Sequence, residues 1–207
     1  METLEHRRFA EFCDACRRYG YIGLCYGSPG VGKTLSARHY SGWNKLSRTD
    51  RFHLETSDGS ILNTVFYTPA VVNTPGIIES DIFRARADLL ELAKQPLLRE
   101  KIERLDFIRR RDEEQQRRAI VASDWLNGEK VPKLQPTFRQ VADEFAARER
   151  QIGDPTTLIV IDEADRLRMA SLEQVRAIFD TSQIGLILIG MPENQGRHPI
   201  SRGAISE

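Results

Sequence analysis

Residues 27–34 read Gly-Ser-Pro-Gly-Val-Gly-Lys-Thr and stand between an apolar run, Tyr21 to Tyr26, and a stretch of helical composition, Leu35 to Tyr40. The octapeptide satisfies the pattern G-x-x-x-x-G-K-[ST] within the strand-loop-helix frame that the pattern requires. Glycines at Gly27, Gly30 and Gly32 let the backbone bend until consecutive N–H groups converge on phosphate oxygens. Lys33 is expected to reach the β and γ phosphates, and Thr34 to offer its hydroxyl to Mg²⁺. The helix that starts there points its positive end at the anion. Ser28, Val31 and Leu35 complete the nucleotide-binding stretch, while Pro29 removes one donor and stiffens the loop.

A second run, Leu158-Ile159-Val160-Ile161, is continuously apolar and ends in Asp162-Glu163. Such a run reads as a buried parallel strand. Two carboxylates at its carboxyl end are costly unless they serve a site, and open α/β sheets bind their ligands at that end. Asp162 is placed to hold Mg²⁺ through water, and Glu163 to orient or deprotonate an attacking water. With Lys33, Glu163 is the candidate catalytic group.

The remaining elements alternate. Residues 41–60 are polar and turn-rich, and Ile61 to Thr68 resembles a strand stopped by Pro69. Residues 82–118 look helical, with Leu98, Ile102, Leu105 and Ile108 at helical spacing. Phe138, Val141 and Phe145 mark another helix, opened near Pro136 and closed before Gly153-Asp154-Pro155. Ser171 and Gln174 form a capping-box signature for a helix carrying Leu172, Val175, Ile178 and Phe179, and Ile184 to Ile189 is a further apolar strand. Strands alternating with helices argue for an α/β fold, a parallel sheet flanked by helices.

Composition bounds the function. The chain has 30 basic and 30 acidic residues and zero formal net charge, so contact with a polyanion has to come from a local patch. Met1 to Arg8 lacks an apolar signal core, and no stretch approaches the roughly 18 apolar residues of a membrane span, so a cytoplasmic protein without membrane partners is expected. Cys13, Cys16 and Cys25 fit a reducing compartment. Cys13 and Cys16 have C-x-x-C spacing but lie in a helical pattern with Phe9 and Phe12, without the second pair a structural zinc needs, so burial on an apolar face is favoured over metal or redox roles.

Between Lys33 and Asp162 lie 128 residues, more than one or two crossovers need. A helical insertion over residues 69–135 is expected within a domain spanning 1–190, followed by an irregular tail, 191–207. The insertion holds Arg99, Lys101, Arg104, Arg109, Arg110, Arg111, Arg117 and Arg118, interleaved with Glu100, Glu103, Asp106, Asp112, Glu113 and Glu114, an excess of two positive charges. Two readings stand: a solvated helix face laced with i,i+4 pairs, or contact with a phosphate backbone centred on Arg109, Arg110 and Arg111.

The segments Ile22 to Arg38, Leu158 to Leu167 and Ile184 to Pro192, about a fifth of the chain, resemble AAA+ ATPases, and in particular the small transposition regulators of the TniB, TnsC and MuB group. The resemblance implies a three-layer P-loop fold that binds ATP with Mg²⁺. It also implies ATP-driven homo-oligomer assembly on double-stranded DNA, recruitment of a transposase, and disassembly on hydrolysis. It places a polar sensor of the γ-phosphate after the last strand, where Asn194 is the candidate. The family continues into a fifth strand, a subunit-contacting arginine and a helical lid. Here 17 residues follow Gly190, so most or all of the lid is expected to be lacking, with Arg197 or Arg202 standing in for the arginine or belonging to a basic tail. Alternatives to a transposition ATPase are a regulatory AAA+ ATPase acting on a protein partner and a truncated nucleotide-binding remnant with little turnover.

Overall fold

The computed structural model describes residues 3–43, 62–123 and 136–191. Within them the apolar runs pair as a four-stranded parallel sheet: β1 (Ile22–Tyr26), β2 (Thr64–Tyr67), β3 (Leu158–Ile161) and β4 (Gly185–Gly190), in the order β1-β4-β3-β2. Leu24 pairs with Leu188, Val160 with Ile187, and Phe66 with Val160. Every residue of β3 is buried, which is why its sequence is continuously apolar. β1 lies at the edge of the described sheet and alternates, with Gly23 buried and Ile22, Leu24 and Tyr26 exposed. The chain leaves β1, crosses to the far edge and returns, so the carboxyl ends of β1, β4 and β3 lie side by side. A parallel sheet flanked by helices is the architecture expected from the alternation of elements.

Helix α1 (Leu4–Tyr19) begins at Thr3, whose hydroxyl accepts from the His6 amide, and ends at Gly20 in the left-handed conformation. Its buried face, Phe9, Cys13 and Cys16, joins Ala37, Phe66, Leu158, Val160, Ile187 and Ile189 in one core. Two glycines seat it. A Cβ on Gly23 would lie 2.4 Å from the Phe12 ring, and one on Gly185 would lie 2.7 Å from the Cys16 carbonyl oxygen. Burial of the two N-terminal cysteines is therefore structural, and desolvation pushes the Cys13 thiol far up.

Helix α2 (Lys33–Tyr40) follows the phosphate loop, α3 (Pro75–Ser123) runs 49 residues with Pro96 inside it, and α4 is Phe138–Arg150. A 3₁₀ turn, Ala164–Arg166, precedes α5 (Met169–Ser182). The chain divides into two compact units with boundaries at 83/84 and 156/157. One carries the sheet with α1, α2, α5 and the first turns of α3. The other carries α3 from Arg84 onward and α4, with Ile108, Val141 and Phe145 buried together against Leu97 and Leu105.

One local expectation, the capping box at Ser171 and Gln174, gives way. Leu98, Ile102 and Phe138 are exposed, because a helix pairing with one neighbour buries a single narrow stripe, which here runs through Leu105 and Ile108. α4 is opened by a full capping box between Thr137 and Gln140, one residue after Pro136. Ser171 and Gln174 cap nothing: α5 starts at Met169 after Arg168, and Ser171 is buried one turn in, its hydroxyl donating to Asn73 Oδ1 at 2.8 Å. A buried hydroxyl needs a partner, and Asn73 supplies one across 98 residues of chain, which local pattern cannot foresee.

Candidate functional site

The phosphate loop leaves the carboxyl end of β1. Gly30 and Gly32 sit at φ of 83° and 84°, in the left-handed region that side chains avoid, so glycine at both positions is a requirement of this backbone. Gly32 is the N-cap of α2 and provides no side chain to bond the first-turn amides, which leaves them for an incoming anion. Lys33 Nζ donates to the carbonyls of Gly27 at 2.7 Å and Ser28 at 3.0 Å, holding the ammonium over the loop.

The acids arrive from β3. The Asp162 amide donates to Tyr67 O at 2.8 Å, extending the β2–β3 ladder past the strand and fixing Asp162 at the sheet's carboxyl edge. Asp162 is buried at 4% exposure. A buried carboxylate beside the Thr34 hydroxyl and the phosphate loop supplies the hard oxygen donors that suit a divalent cation such as Mg²⁺. Glu163 adopts φ of 52°, left-handed in a residue with a side chain, a conformation characteristic of strained functional positions. Its Oε2 lies 2.5 Å from Arg166 Nη1.

Loop and acids line one cavity of about 390 Å³. Its wall includes Pro29, Gly30, Val31, Gly32, Lys33, Thr34 and Leu35 on one side, and Asp162 and Glu163 on the other. Arg38, Asp165 and Ile189 to Met191 complete it. Gly27 and Ser28 meet the site through the Lys33 ammonium. Cys25, the penultimate residue of β1, reports the same convergence: burial raises its pKa, Lys33 opposes the rise and Asp162 adds to it. A second cavity of about 380 Å³ shares Val31 and Lys33 and is walled mainly by Phe9, Phe12, Leu24 and Tyr26, with Glu5 and Arg8 at α1.

Sequence reading missed four residues here. Arg38 and Asp165 lie beside the recognised motifs, and Arg166 stands three residues from Glu163, a spacing that signals pairing only once a helical turn is known. Asn73 donates to the Arg166 carbonyl at 3.0 Å from 93 residues away, and no local signal announces it. Asn194, Arg197 and Arg202 lie outside the described residues. Arg109, Arg110 and Arg111 lie on α3 in the helical unit. Arg109 pairs with Asp106 at 3.0 Å, and Arg111 pairs with Asp112 at 2.8 Å and donates to the Pro136 carbonyl. Among the described residues no helix is long and apolar enough to cross a membrane.

Comparison with known proteins agrees with this geometry. A Staphylococcus aureus protein named "Potential ATP-binding protein" is 34% identical over 200 residues, covering 93% of this chain. The chain spans 58% of the length of that curated relative. The family model described as "AAA domain" matches residues 16–197, a span that takes in β1 through β4, the phosphate loop and the acidic strand end. The chain belongs to the AAA domain family.

Proposed function

We propose that this chain binds ATP and hydrolyses it to ADP and phosphate. The observation that carries the reading is the single cavity lined by the phosphate loop on one side and by Asp162 and Glu163 on the other. The loop amides and the uncapped start of α2 hold the phosphates, and Lys33 leaves its loop carbonyls for the β and γ oxygens. Thr34 and Asp162 would hold Mg²⁺, which supplies charge neutralisation at the terminal phosphates. Glu163 accepts a proton from water as the water oxygen bonds to the γ-phosphorus and the bond to the β–γ bridging oxygen breaks. The apolar cavity beside Val31 suits the base and sugar.

Two variants test this. Lys33→Ala is expected to abolish nucleotide binding, read with a fluorescent ATP analogue. Glu163→Gln is expected to retain binding and lose phosphate release. Unchanged phosphate release in Glu163→Gln would overturn the hydrolytic reading.

The finer reading is a regulator that oligomerises on double-stranded DNA and controls a transposase, supported by the resemblance of Ile22 to Arg38 and Leu158 to Leu167 to that group and by the exposure of Arg109 and Arg110 beside the half-buried Arg111. Charge reversal of Arg109, Arg110 and Arg111 should then abolish ATP-dependent retention on DNA while leaving nucleotide affinity intact. A second reading, a protein partner in place of DNA, is favoured by the engagement of Arg109 and Arg111 with acids of their own helix. Retention on DNA that survives the charge reversal would remove the arginines from the argument.

A further inference from the structure

We infer that Asp165 is a further catalytic residue, which accepts a hydrogen bond from the attacking water and, with Glu163, aims it at the γ-phosphorus. The inference rests on the hydrolytic reading above. β4 lies between β1 and β3, so its carboxyl end stands between the phosphate loop and the acids. Gly190 pairs with Tyr26, the residue before the loop, and two residues beyond the paired Ile161 and Leu188 lie Glu163 and Gly190. A polar group beside Gly190 is therefore level with both halves of the site. β4 itself brings none, since Ile189, Gly190 and Met191, which wall the cavity there, carry no strong hydrogen-bonding side chain.

Asp165 fills that place from the neighbouring strand. The positive φ of Glu163 turns the chain at the end of β3, and the 3₁₀ turn that follows packs against β4. A Cβ on Gly190 would lie 3.5 Å from Asp165 Oδ1 and 3.9 Å from the Tyr26 ring, which puts the carboxylate beside the last residue of β4. Asp165 lines the same cavity as Lys33, Thr34, Asp162 and Glu163, and it is exposed, so water reaches it.

The chemistry of the group decides what it can touch there. An ionised carboxylate only accepts hydrogen bonds, so it has no bond to offer the oxygens of a nucleotide phosphate, which accept as well. Water at the γ-phosphate offers two protons. With Glu163 taking one as the base and Asp165 accepting a hydrogen bond from the other, a lone pair of the water oxygen is left facing phosphorus. The proton that Asp165 holds stays on that oxygen and departs with the phosphate, while the one on Glu163 returns to solvent. Lys33 and Arg38 in the same wall offset the added negative charge.

The test compares Asp165→Ala and Asp165→Asn in the whole chain by phosphate release, affinity for a fluorescent ATP analogue and urea unfolding. Asp165→Ala is expected to lower kcat about ten- to hundred-fold, the scale of a misaligned nucleophile, with KM, analogue affinity and the urea midpoint unchanged. Asp165→Asn keeps an oxygen acceptor in the same place and should recover most of the rate. A parent-like kcat in Asp165→Ala would overturn the role, and so would an Asp165→Asn as slow as Asp165→Ala. A fall in kcat matched by an equal loss of analogue affinity would assign Asp165 to the shape of the site and overturn it too. In each of these cases Glu163→Gln, by still losing phosphate release, would leave the hydrolytic reading standing. Analogue binding without turnover in the parent would overturn both.

Discussion

The two compact units handle their polar groups unequally. In the sheet unit, Ser41, Thr64, Asn73, Asp162 and Ser171 are buried, whereas among the described residues of the helical unit the buried polar residue is Thr156, at its boundary. In the helical unit the buried cluster is the apolar set Ile108, Val141 and Phe145, while charge is spent at the surface in pairs such as Arg104–Glu144 and Arg148–Glu100. Buried polar groups demand partners and are expensive to hold, so they mark the unit that performs chemistry; an apolar core with a paired surface marks one that supports it.

The sharpest way to break that contrast is Glu163→Gln. Loss of a general base lowers turnover by roughly 10²- to 10⁴-fold, and the change should barely alter the urea midpoint, because Glu163 is partly exposed and its pairing is weak. Phosphate release and equilibrium unfolding of the same preparation check it. A large loss of stability would move Glu163 from the chemistry to the scaffold.

The matching change in the helical unit is Phe145→Ala. The ring is buried to 1% exposure between α3 and α4, and truncating such a side chain costs about 3–5 kcal/mol through lost transfer energy and the cavity left behind. Urea unfolding followed by circular dichroism should show it. A cost below about 1 kcal/mol would mean that the apolar cluster does not hold these helices together.

Much of this arrangement was legible in the chain. The phosphate loop, the acidic strand end and the four strands follow from patterns confined to short windows, because a parallel strand must be apolar along its whole length and a phosphate cradle needs glycine at fixed places. What stayed hidden is non-local. Ser171 resembles a helix cap, and only the arrival of Asn73 from 98 residues away turns it into a buried partner. Leu98 and Leu97 are indistinguishable by composition, and only α4 decides that Leu97 packs toward the core. The Glu163–Arg166 pair is local, yet reading it required knowing that a 3₁₀ turn, and not a strand or a loop, follows the acids.

Asn73→Ala probes the buried polar network with a smaller expected cost. It orphans the Ser171 hydroxyl and the Arg166 carbonyl, and an unsatisfied buried group typically costs about 1–3 kcal/mol. Adding Ser171→Ala should restore part of the loss, since the second change removes one of the orphans. Strict additivity of the two in urea unfolding would show that the groups do not act as a network.

The smallest effect belongs to the surface of the helical unit. Arg148 forks onto Glu100 with two bonds of 2.7 Å, and this contact, partly opposed by desolvation and reinforced by the charges of Arg148 and Arg104, lowers the Glu100 carboxyl below its ordinary value of 4.5. A depressed carboxylate contributes stability above the unfolded-state value and loses it as pH falls through the lower folded value. The difference in urea midpoint between parent and Glu100→Gln should therefore be greatest near neutrality and shrink as the pH falls below 4.5. Glu100→Gln is the informative change because Arg148 also lies over the Phe145 ring at 4.9 Å. Removing the arginine would disturb that packing at every pH, whereas the glutamine leaves the ring contact in place. A pH-independent difference would assign the contribution of Glu100 to shape and not to charge.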